Sequence, residues 1–257
     1  MALAELTLLK VGGAELEEGV ALEALTEAIA QFVAERNLII VHGGGSDIAK
    51  LQKRLGLVPR FIDGLRVTDE ESLWAAEMAL SGTVNKRLTA HLVQRGVRAL
   101  GLSGVDAGLL RARPLAHPKG DLGRVGEIEH VETSCLLDLL AKGFVPVISP
   151  ISLGSDGHPF NVNADHAALA IAKALRVHEM IFLTNVPGVL VQGELLAQID
   201  PQTAEKLIAT GEISGGMIPK VRSALAAIAQ GVQTVRITSL EGLFQGSGTR
   251  FSTNQER

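Results

Sequence analysis

The chain has 257 residues, of which 46% are apolar, and its 24 lysines and arginines against 28 aspartates and glutamates give a formal charge of −4. This composition excludes a disordered or fibrous chain, and a lone cysteine, Cys135, excludes a disulfide scaffold. The sequence is slightly acidic and lacks the basic cluster that binding to a nucleic acid or an anionic membrane requires, so we expect small-molecule chemistry.

Membrane and secretion signals are the next features to consider. No apolar run approaches the roughly 20 residues that span a bilayer. The first residues lack a basic leader before their apolar run. A cytoplasmic location is therefore expected.

In the first part of the chain, short strand-like runs alternate with longer helical patterns, which is typical of βαβ units around a largely parallel sheet. Asp63-Gly64 between apolar flanks predicts a tight hairpin, and Thr68 with Glu71 has the form of a capping box that opens a helix through about Leu80. The other predicted elements are a strand at 6–11, a helix over 22–33, a strand at 38–41, a helix over 46–55, a helix ending near 96, a strand at 98–102, a hairpin-like stretch between 109 and 131, a helix from 134 and a buried strand at 144–148.

The second part of the chain starts near Asp165 and repeats this alternation. It is predicted to contain a helix to 175, a strand at 180–183, a turn at 187–188, helices over 201–210 and 219–230, and a strand at 234–238. Because no long linker separates the two parts, we expect them to share one continuous sheet.

Two glycine clusters follow adjacent predicted strands, Gly12-Gly13 after the first and Gly43-Gly44-Gly45 after the second. Backbone without side chains can approach a phosphate closely, and successive N–H groups at a helix start bind anions. Either cluster alone could be only a tight turn. Both together favour a ligand site, because ligands of open α/β sheets bind outside the carboxyl ends of the strands.

Common fingerprints of other nucleotide and hydrolytic enzymes are missing from the sequence. It contains no G-x-x-x-x-G-K-[ST], no G-x-G-x-x-G, no G-x-S-x-G and no H-E-x-x-H. This pattern disfavours a P-loop enzyme, a Rossmann dehydrogenase, a serine hydrolase and a zinc enzyme.

Two lysines and an aspartate stand near these glycines. Lys10 ends the first strand and Lys220 follows a glycine-rich loop, so each either pairs with an anion or reaches solvent. Asp165 follows Asn161 and Asn163 just before a helix, and taken alone it is best interpreted as the helix N-cap.

Six ordered motifs resemble those of the amino-acid kinase family, and most closely its acetylglutamate kinase branch, over about residues 6–251. They are Leu9-Lys10-Val11-Gly12-Gly13, Val41-His42-Gly43-Gly44-Gly45, Gly64-Leu65-Arg66-Val67-Thr68-Asp69, Asn161-Val162-Asn163-Ala164-Asp165, Leu183-Thr184-Asn185-Val186-Pro187-Gly188 and Gly215-Gly216-Met217-Ile218-Pro219-Lys220.

The resemblance implies a three-layer α/β/α sandwich with a central, mainly parallel sheet, which is the carbamate kinase-like fold. The single domain 1–257 would have an N-lobe at about 1–164 for the amino acid and for dimerisation, and a C-lobe at about 165–257 for ATP. The implied reaction transfers the γ-phosphoryl group of MgATP to the side-chain carboxylate of N-acetyl-L-glutamate in arginine biosynthesis. Mg²⁺ is expected mainly on the nucleotide phosphates, with no dedicated protein ligands.

The resemblance also assigns roles to residues. Lys10 and Lys220 would contact the transferring phosphoryl group, and Asp165 would hold both ammonium groups in place. The implied acceptor-binding residues are Gly44, Gly45, Gly64, Leu65, Arg66, Asn161 and Asn163. The implied nucleotide-binding residues are Lys10, Gly12, Gly13, Thr184, Asn185, Gly188, Gly215, Gly216, Met217 and Lys220.

Some features depart from the family pattern. Asn185 stands where many acetylglutamate kinases have Asp, and Val105 replaces a common polar residue. A carrier-linked α-aminoadipate kinase of lysine biosynthesis on the same fold therefore stays an alternative, as does a non-catalytic sensor. The chain begins without the extra N-terminal helix of arginine-inhibited hexamers, so we expect an arginine-insensitive homodimer, with the helix at 69–80 in the usual contact.

Overall fold

In this computed structural model, which describes residues 5–34 and 36–252, strands and helices alternate along most of the chain. The strands are β1 (Leu6–Val11), β2 (Asn37–His42), β3 (Phe61–Ile62), β4 (Leu65–Arg66), β5 (Ala99–Gly104), β6 (Leu110–Pro114), β7 (Val125–Val131), β8 (Val145–Gly154), β9 (Pro159–Val162), β10 (Glu179–Leu183), β11 (Leu190–Val191), β12 (Glu194–Leu195), β13 (Gln198–Ile199), β14 (Thr234–Thr238) and β15 (Thr249–Ser252). The α-helices are α1 (Val20–Phe32), α2 (Gly45–Arg54), α3 (Glu70–Glu77), α4 (Asn85–Gln94), α5 (Thr133–Ala141), α6 (Ala164–Leu175), α7 (Pro201–Ala209), α8 (Met217–Ala229) and α9 (Leu240–Gln245).

Eleven strands form one sheet in the order β13-β15-β14-β10-β1-β2-β8-β6-β7-β9, and β5 also pairs with β8. β1 lies between β2 and β10 and runs parallel to both. Antiparallel pairs occur at β6–β7, β8–β9 and β14–β15. The expected continuous, mainly parallel sheet is confirmed, whereas the division into lobes at residues 164 and 165 stays a prediction.

Helices cover both faces of the sheet, so that neighbouring strand residues enter different cores. Leu8 belongs to a core with side chains of α5, α6 and α8. Leu9 belongs to a second core with side chains of α1, α4 and α9. The continuous apolar runs of the central strands follow from this burial on both faces, and the three-layer arrangement is confirmed.

The segment between α2 and α4 corrects one expectation. The Asp63-Gly64 hairpin is confirmed, with φ of +48° and +81° at these residues, as a tight turn of this kind needs. The capping box with Thr68 as N-cap is wrong: Asp69 caps α3 and accepts a hydrogen bond from the Ser72 amide at 2.8 Å. Instead of continuing as an α-helix through about Leu80, α3 passes into a π-helical segment, Met78–Val84, that leads into α4.

The longest strand, β8, runs beyond the predicted end at residue 148. Its pairing with β5 slips near Pro150, which is the kind of irregularity that accommodates a proline in a sheet. Sequence patterns missed β9, the short strands β11–β13, α9 and β15. Among the described residues, no helix is long and apolar enough to cross a membrane.

Candidate functional site

Two cavities open where β1, β2 and β10 end, and they share Lys10 and Asp165. The first, called the Lys220 cavity, is lined by Lys10, Gly12, Gly13, Glu15, Asp165, Phe182, Leu183, Thr184, Asn185, Lys220 and Ser223. The second, called the Arg66 cavity, is lined by Lys10, Gly43, Gly44, Gly45, Ile48, Phe61, Gly64, Leu65, Arg66, Leu80, Val125, Pro150, Asn161, Val162, Asn163, Ala164 and Asp165. Together they can hold two ligands whose ends meet at one charged pair.

The shared pair is an ion pair between Lys10 Nζ and Asp165 Oδ1 at 2.8 Å. Its alignment falls outside hydrogen-bond geometry, so the buried Oδ1 atom keeps an unused acceptor position. Asn163, rather than Asp165, caps α6: its Oδ1 accepts from the Asp165 amide at 2.8 Å. The N-cap interpretation of Asp165 is therefore wrong, and its carboxylate is free to face Lys10.

Lys220 lies in the first turn of α8 and contributes a second cation to the cavity that carries its name. Among the described residues Lys220 forms no ion pair with Asp165, whose carboxylate pairs with Lys10. Met217 begins this helix, Gly216 is its N-cap and Gly215 precedes it, and none of the three lines the cavity. They place Lys220 through the backbone of α8.

The backbone after β1 leaves room for the Lys10 ammonium group. A Cβ atom on Gly12 would lie 3.1 Å from Lys10 Nζ, so a larger residue would press on the lysine. Gly13 adopts a φ of +76°, a conformation that favours glycine. This bare loop beside two cations fits a polyphosphate anion.

The predicted residues after β10 divide into two groups. Thr184 and Asn185 line the Lys220 cavity, as expected. Gly188 does not: its φ is +154°, and a Cβ atom there would lie 2.6 Å from the Thr249 hydroxyl. Gly188 therefore satisfies a packing requirement at β15.

All seven predicted acceptor-binding residues line the Arg66 cavity. The Arg66 guanidinium group donates to Gln52 Oε1 and, at 3.2 Å, to the Gly45 carbonyl, and it stacks over the Phe61 ring at 4.8 Å. Burial lowers the pKa of Arg66 below its ordinary value, although the group stays charged at neutral pH. These contacts fix a planar cation that can bind a carboxylate through two hydrogen bonds.

The second glycine cluster packs closely against neighbouring elements. The Gly43 amide donates to the Val11 carbonyl at 2.8 Å, which ties the ends of β1 and β2 together. Gly44 has a φ of +156°, and a Cβ atom there would lie 2.8 Å from Leu80 Cδ2 in the π-helical segment. Gly45 begins α2, whose unpaired N–H groups face the same end of the sheet.

A buried histidine beside this cluster was not singled out from the sequence. His42 is fully buried, its Nδ1 lies 2.9 Å from the Gly43 carbonyl, and Asn85 Nδ2 lies 3.0 Å from its Nε2. Because Asn85 can only donate there, the hydrogen bonds assign a neutral ring with the proton on Nδ1. Burial lowers the pKa of His42 to about 4. The sequence signal that could have identified His42 is its position as a polar residue at the end of an apolar strand, directly before Gly43.

Glu15, Phe182 and Ser223 in the first cavity and Val125 in the second were also missed. No group of three or more His, Cys, Asp or Glu side chains able to hold a metal occurs among the described residues. The cavities offer cations, amide groups and bare backbone, which suit transfer of an anionic group between anionic partners.

Comparisons with known proteins agree with this geometry. The model of the Amino acid kinase family matches residues 5–239. The acetylglutamate kinase of Roseiflexus sp. (strain RS-1) is 52% identical over 249 residues, which cover 96% of this chain and 94% of that protein.

Two solved structures share the fold. The structure of smu.665 from Streptococcus mutans UA159 has a TM-score of 0.82 and 30% identity, and the match covers 97% of this chain and 99% of that one. Carbamate kinase from Giardia lamblia bound to AMP-PNP has a TM-score of 0.72, with coverage of 99% and 100%, and at 16% identity it shows likeness of fold alone. The expected carbamate kinase-like fold is confirmed, and the chain belongs to the amino-acid kinase family.

Proposed function

We propose that the chain transfers the γ-phosphoryl group of MgATP to the side-chain carboxylate of N-acetyl-L-glutamate. A carboxylate oxygen forms a bond to the γ-phosphorus, the bond from that phosphorus to the β-phosphate bridging oxygen breaks, and ADP leaves beside an acyl phosphate. The observation that carries the proposal is the junction of the Lys220 and Arg66 cavities at Lys10 and Asp165. ATP would occupy the former and N-acetylglutamate the latter.

The nucleophile needs no general base. A carboxyl group with a pKa near 4.3 is ionised at neutral pH, so it attacks without losing a proton. The barrier lies in bringing two anions together, and Lys10 and Lys220 can offset that repulsion. Asp165 positions Lys10 through their 2.8 Å ion pair and acts neither as base nor as nucleophile.

The amino-acid end of the acceptor would bind at Arg66. Its planar fork suits the α-carboxylate, and stacking on Phe61 limits its motion before the ligand arrives. Asn161 donates to Thr68 Oγ1 at 3.1 Å, and Thr68 in turn donates to the Arg66 carbonyl at 2.8 Å. Asn161 is thereby held beside Arg66 with its amide oxygen available to an amino-acid backbone.

Mg²⁺ fits the Lys220 cavity as a companion of the nucleotide. When bound, it would neutralise part of the phosphate charge as a Lewis acid. The bare backbone at Gly12 and Gly13 and the side chains of Glu15 and Asn185 leave polar surface for the hydrated ion and the phosphates. Lys10 and Lys220 remain the fixed cations of the chain itself.

We further propose a homodimer that is insensitive to arginine. Trp74 in α3 is 55% exposed and Met78, four residues later, is 42% exposed, so one helical face presents an apolar patch that a second copy could cover. A cytoplasmic role in arginine biosynthesis accords with ATP as the donor and with the name of the Roseiflexus relative. The alternative acceptor, carrier-linked α-aminoadipate, gains no support from the comparisons.

A hydroxamate assay tests the proposed reaction, because hydroxylamine traps acyl phosphates. N-acetylglutamate, glutamate, aspartate and α-aminoadipate are compared as acceptors with MgATP. We expect N-acetylglutamate to give by far the highest kcat/KM. Folded protein that turned over another acceptor faster, or none at all, would refute the proposal. Light scattering of the same preparation, with and without arginine, tests the dimer.

A further inference from the structure

A third cavity, of about 250 Å³, lies away from the catalytic cavities and shares no residue with them. It is called the arginine cavity here, after the three arginines among its lining residues Ala28, Gln31, Phe32, Arg36, Glu179, Arg236, Leu243, Phe244, Gly246 and Arg250. Glu179 begins β10, whereas Leu183 ends this strand in the Lys220 cavity, about 13 Å away at a strand rise of about 3.3 Å per residue.

One carboxylate in the arginine cavity is already fully engaged. Arg236 Nε and Nη2 donate to the two oxygens of Glu179 at 2.9 and 3.3 Å, and the two side chains are only 3% and 7% exposed. Arg36 Nη1 lies 3.8 Å from Glu179 Oε2. The single negative charge of Glu179 therefore faces two guanidinium groups.

A third guanidinium group adds unfavourable charge. Arg250 lies directly opposite Arg236 in the antiparallel pairing of β14 and β15. Like charges at such positions destabilise a sheet. Burial lowers the pKa of Arg236 most, and the charges of Arg250 and Arg36 lower it further, whereas Glu179 raises it. Among the described residues that line the cavity, three cations and one anion leave a formal charge of +2.

We propose that the arginine cavity binds a small dianion that carries carboxylate or phosphate groups. Two negative charges would balance the local excess, and guanidinium groups bind such oxygens through paired hydrogen bonds. Arg36 is already held over the Phe32 ring at 5.1 Å, and the exposed Phe244 supplies an apolar wall. Glu179 compensates Arg236, whereas Arg250 forms no ion pair among the described residues. A cross-strand charge left uncompensated in this way is typical of a functional site.

A purely structural arginine cluster makes a different prediction at Arg250. If Arg250 only stabilised the fold, Arg250→Gln would lower the melting temperature. If Arg250 instead binds a ligand, Arg250→Gln removes its repulsion from Arg236, so the free protein should melt at the same or a higher temperature. The rise in melting temperature that the ligand causes should then be lost.

Thermal unfolding tests the proposal with inorganic phosphate and with succinate as separate probes, each compared with chloride at equal ionic strength. At about ten times its Kd, a bound dianion should raise the wild-type melting temperature by about 3–6 °C. Arg250→Gln should abolish this shift. The matched control Arg113→Gln changes an exposed arginine of β6 that pairs with Glu127 at 2.8 Å, and it should keep the shift.

The outcomes separate the possibilities. A shift with phosphate alone or succinate alone, lost in Arg250→Gln, identifies which group is bound. No shift with either probe overturns the proposal. An equal shift in wild type and Arg250→Gln also overturns it, because the anion then binds elsewhere, for example at Lys10 and Lys220. None of these outcomes depends on the kinase activity.

Discussion

Lys10 and Asp165 come from β1 and α6, and their side chains meet at 2.8 Å at the junction of the Lys220 and Arg66 cavities. The lysine ends a parallel strand, whereas the aspartate lies one residue into a helix that Asn163 caps. The ion pair therefore connects the start of α6 to the end of β1, the strand that precedes Gly12 and Gly13. Both cavities therefore share this one ion pair as part of their lining.

Removing the Lys10 charge should reduce the rate much more than the stability. Lys10→Met keeps the length of the side chain but deletes the cation that we propose faces the transferring phosphoryl group. Loss of one such electrostatic contact lowers kcat by about 100–1,000-fold. The melting temperature should change little, since the two side chains are only partly buried, at 18% and 33% exposed.

Lys53→Met is the matched control, because Lys53 is exposed in α2 and lines neither catalytic cavity. It should retain wild-type kcat. A Lys10→Met enzyme with wild-type kcat would remove Lys10 from the mechanism.

Arg66→Lys should weaken binding of the acceptor selectively. Lysine keeps the charge but lacks the planar guanidinium group that donates to Gln52 and to the Gly45 carbonyl and stacks on Phe61. The KM for N-acetylglutamate should rise by about 10–100-fold, as expected for a lost charge-assisted pair of hydrogen bonds. The KM for ATP should stay unchanged in steady-state kinetics.

Arg60→Lys, at an exposed position just before the same hairpin, provides the comparison and should leave both KM values unaltered. Equal effects of Arg66→Lys on both substrates would argue against a role specific to the acceptor.

Gly44 and Gly45 should respond differently to the same substitution. Gly44→Ala places a Cβ atom 2.8 Å from Leu80 and 3.1 Å from Val84 at a φ of +156°. We expect it to destabilise the fold by about 1–3 kcal/mol. Gly45→Ala meets no atom within 4 Å and should be neutral or slightly stabilising at a helix start. Urea unfolding measures the free energy of unfolding of both variants, and an equal loss of stability in the two would contradict the steric argument.

Sequence patterns predicted the elements that carry the catalytic site, because strands buried on both faces give continuous apolar runs such as Leu38–Val41 and because the ligand loops are glycine-rich. The family resemblance predicted seven residues that line the Arg66 cavity, but not Val125. The packing of Gly188 against Thr249 was not predicted, because a glycine with positive φ that packing requires resembles one that a phosphate requires, and its nucleotide role stays a prediction. The N-cap at Asn163 was missed, because either Asn163 or Asp165 satisfies the sequence rule.

Features that depend on long-range pairing could not be predicted from sequence. The opposition of Arg236 and Arg250 follows from the register of β14 and β15, and β15 itself gave no strand signal. The contact between His42 and Asn85 joins the end of β2 to the first residue of α4, which follows the π-helical segment. Only the packed fold brings these charges and hydrogen bonds together.

His42 should make the stability depend on pH in the weakly acidic range. Its pKa is about 4 in the folded protein and near 6.5 in the unfolded chain, so the unfolded state binds more protons between these values. The contribution of the neutral ring to the free energy of unfolding is complete above about pH 6.5 and decreases as the pH falls towards 4. Lowering the pH from about 7 to about 5 should therefore reduce the free energy of unfolding by on the order of 2 kcal/mol through this group.

Urea unfolding at these two pH values measures the effect and avoids the range in which the hydrogen-bonded carboxylates titrate. His42→Gln can still accept from Asn85 but carries no titrating ring, so its loss of stability on acidification should be smaller than that of wild type. His178→Gln, at an exposed position just before β10, should keep the wild-type dependence. If wild type and His42→Gln lost equal free energy between the two pH values, the buried neutral ring would not be the source of the acid sensitivity.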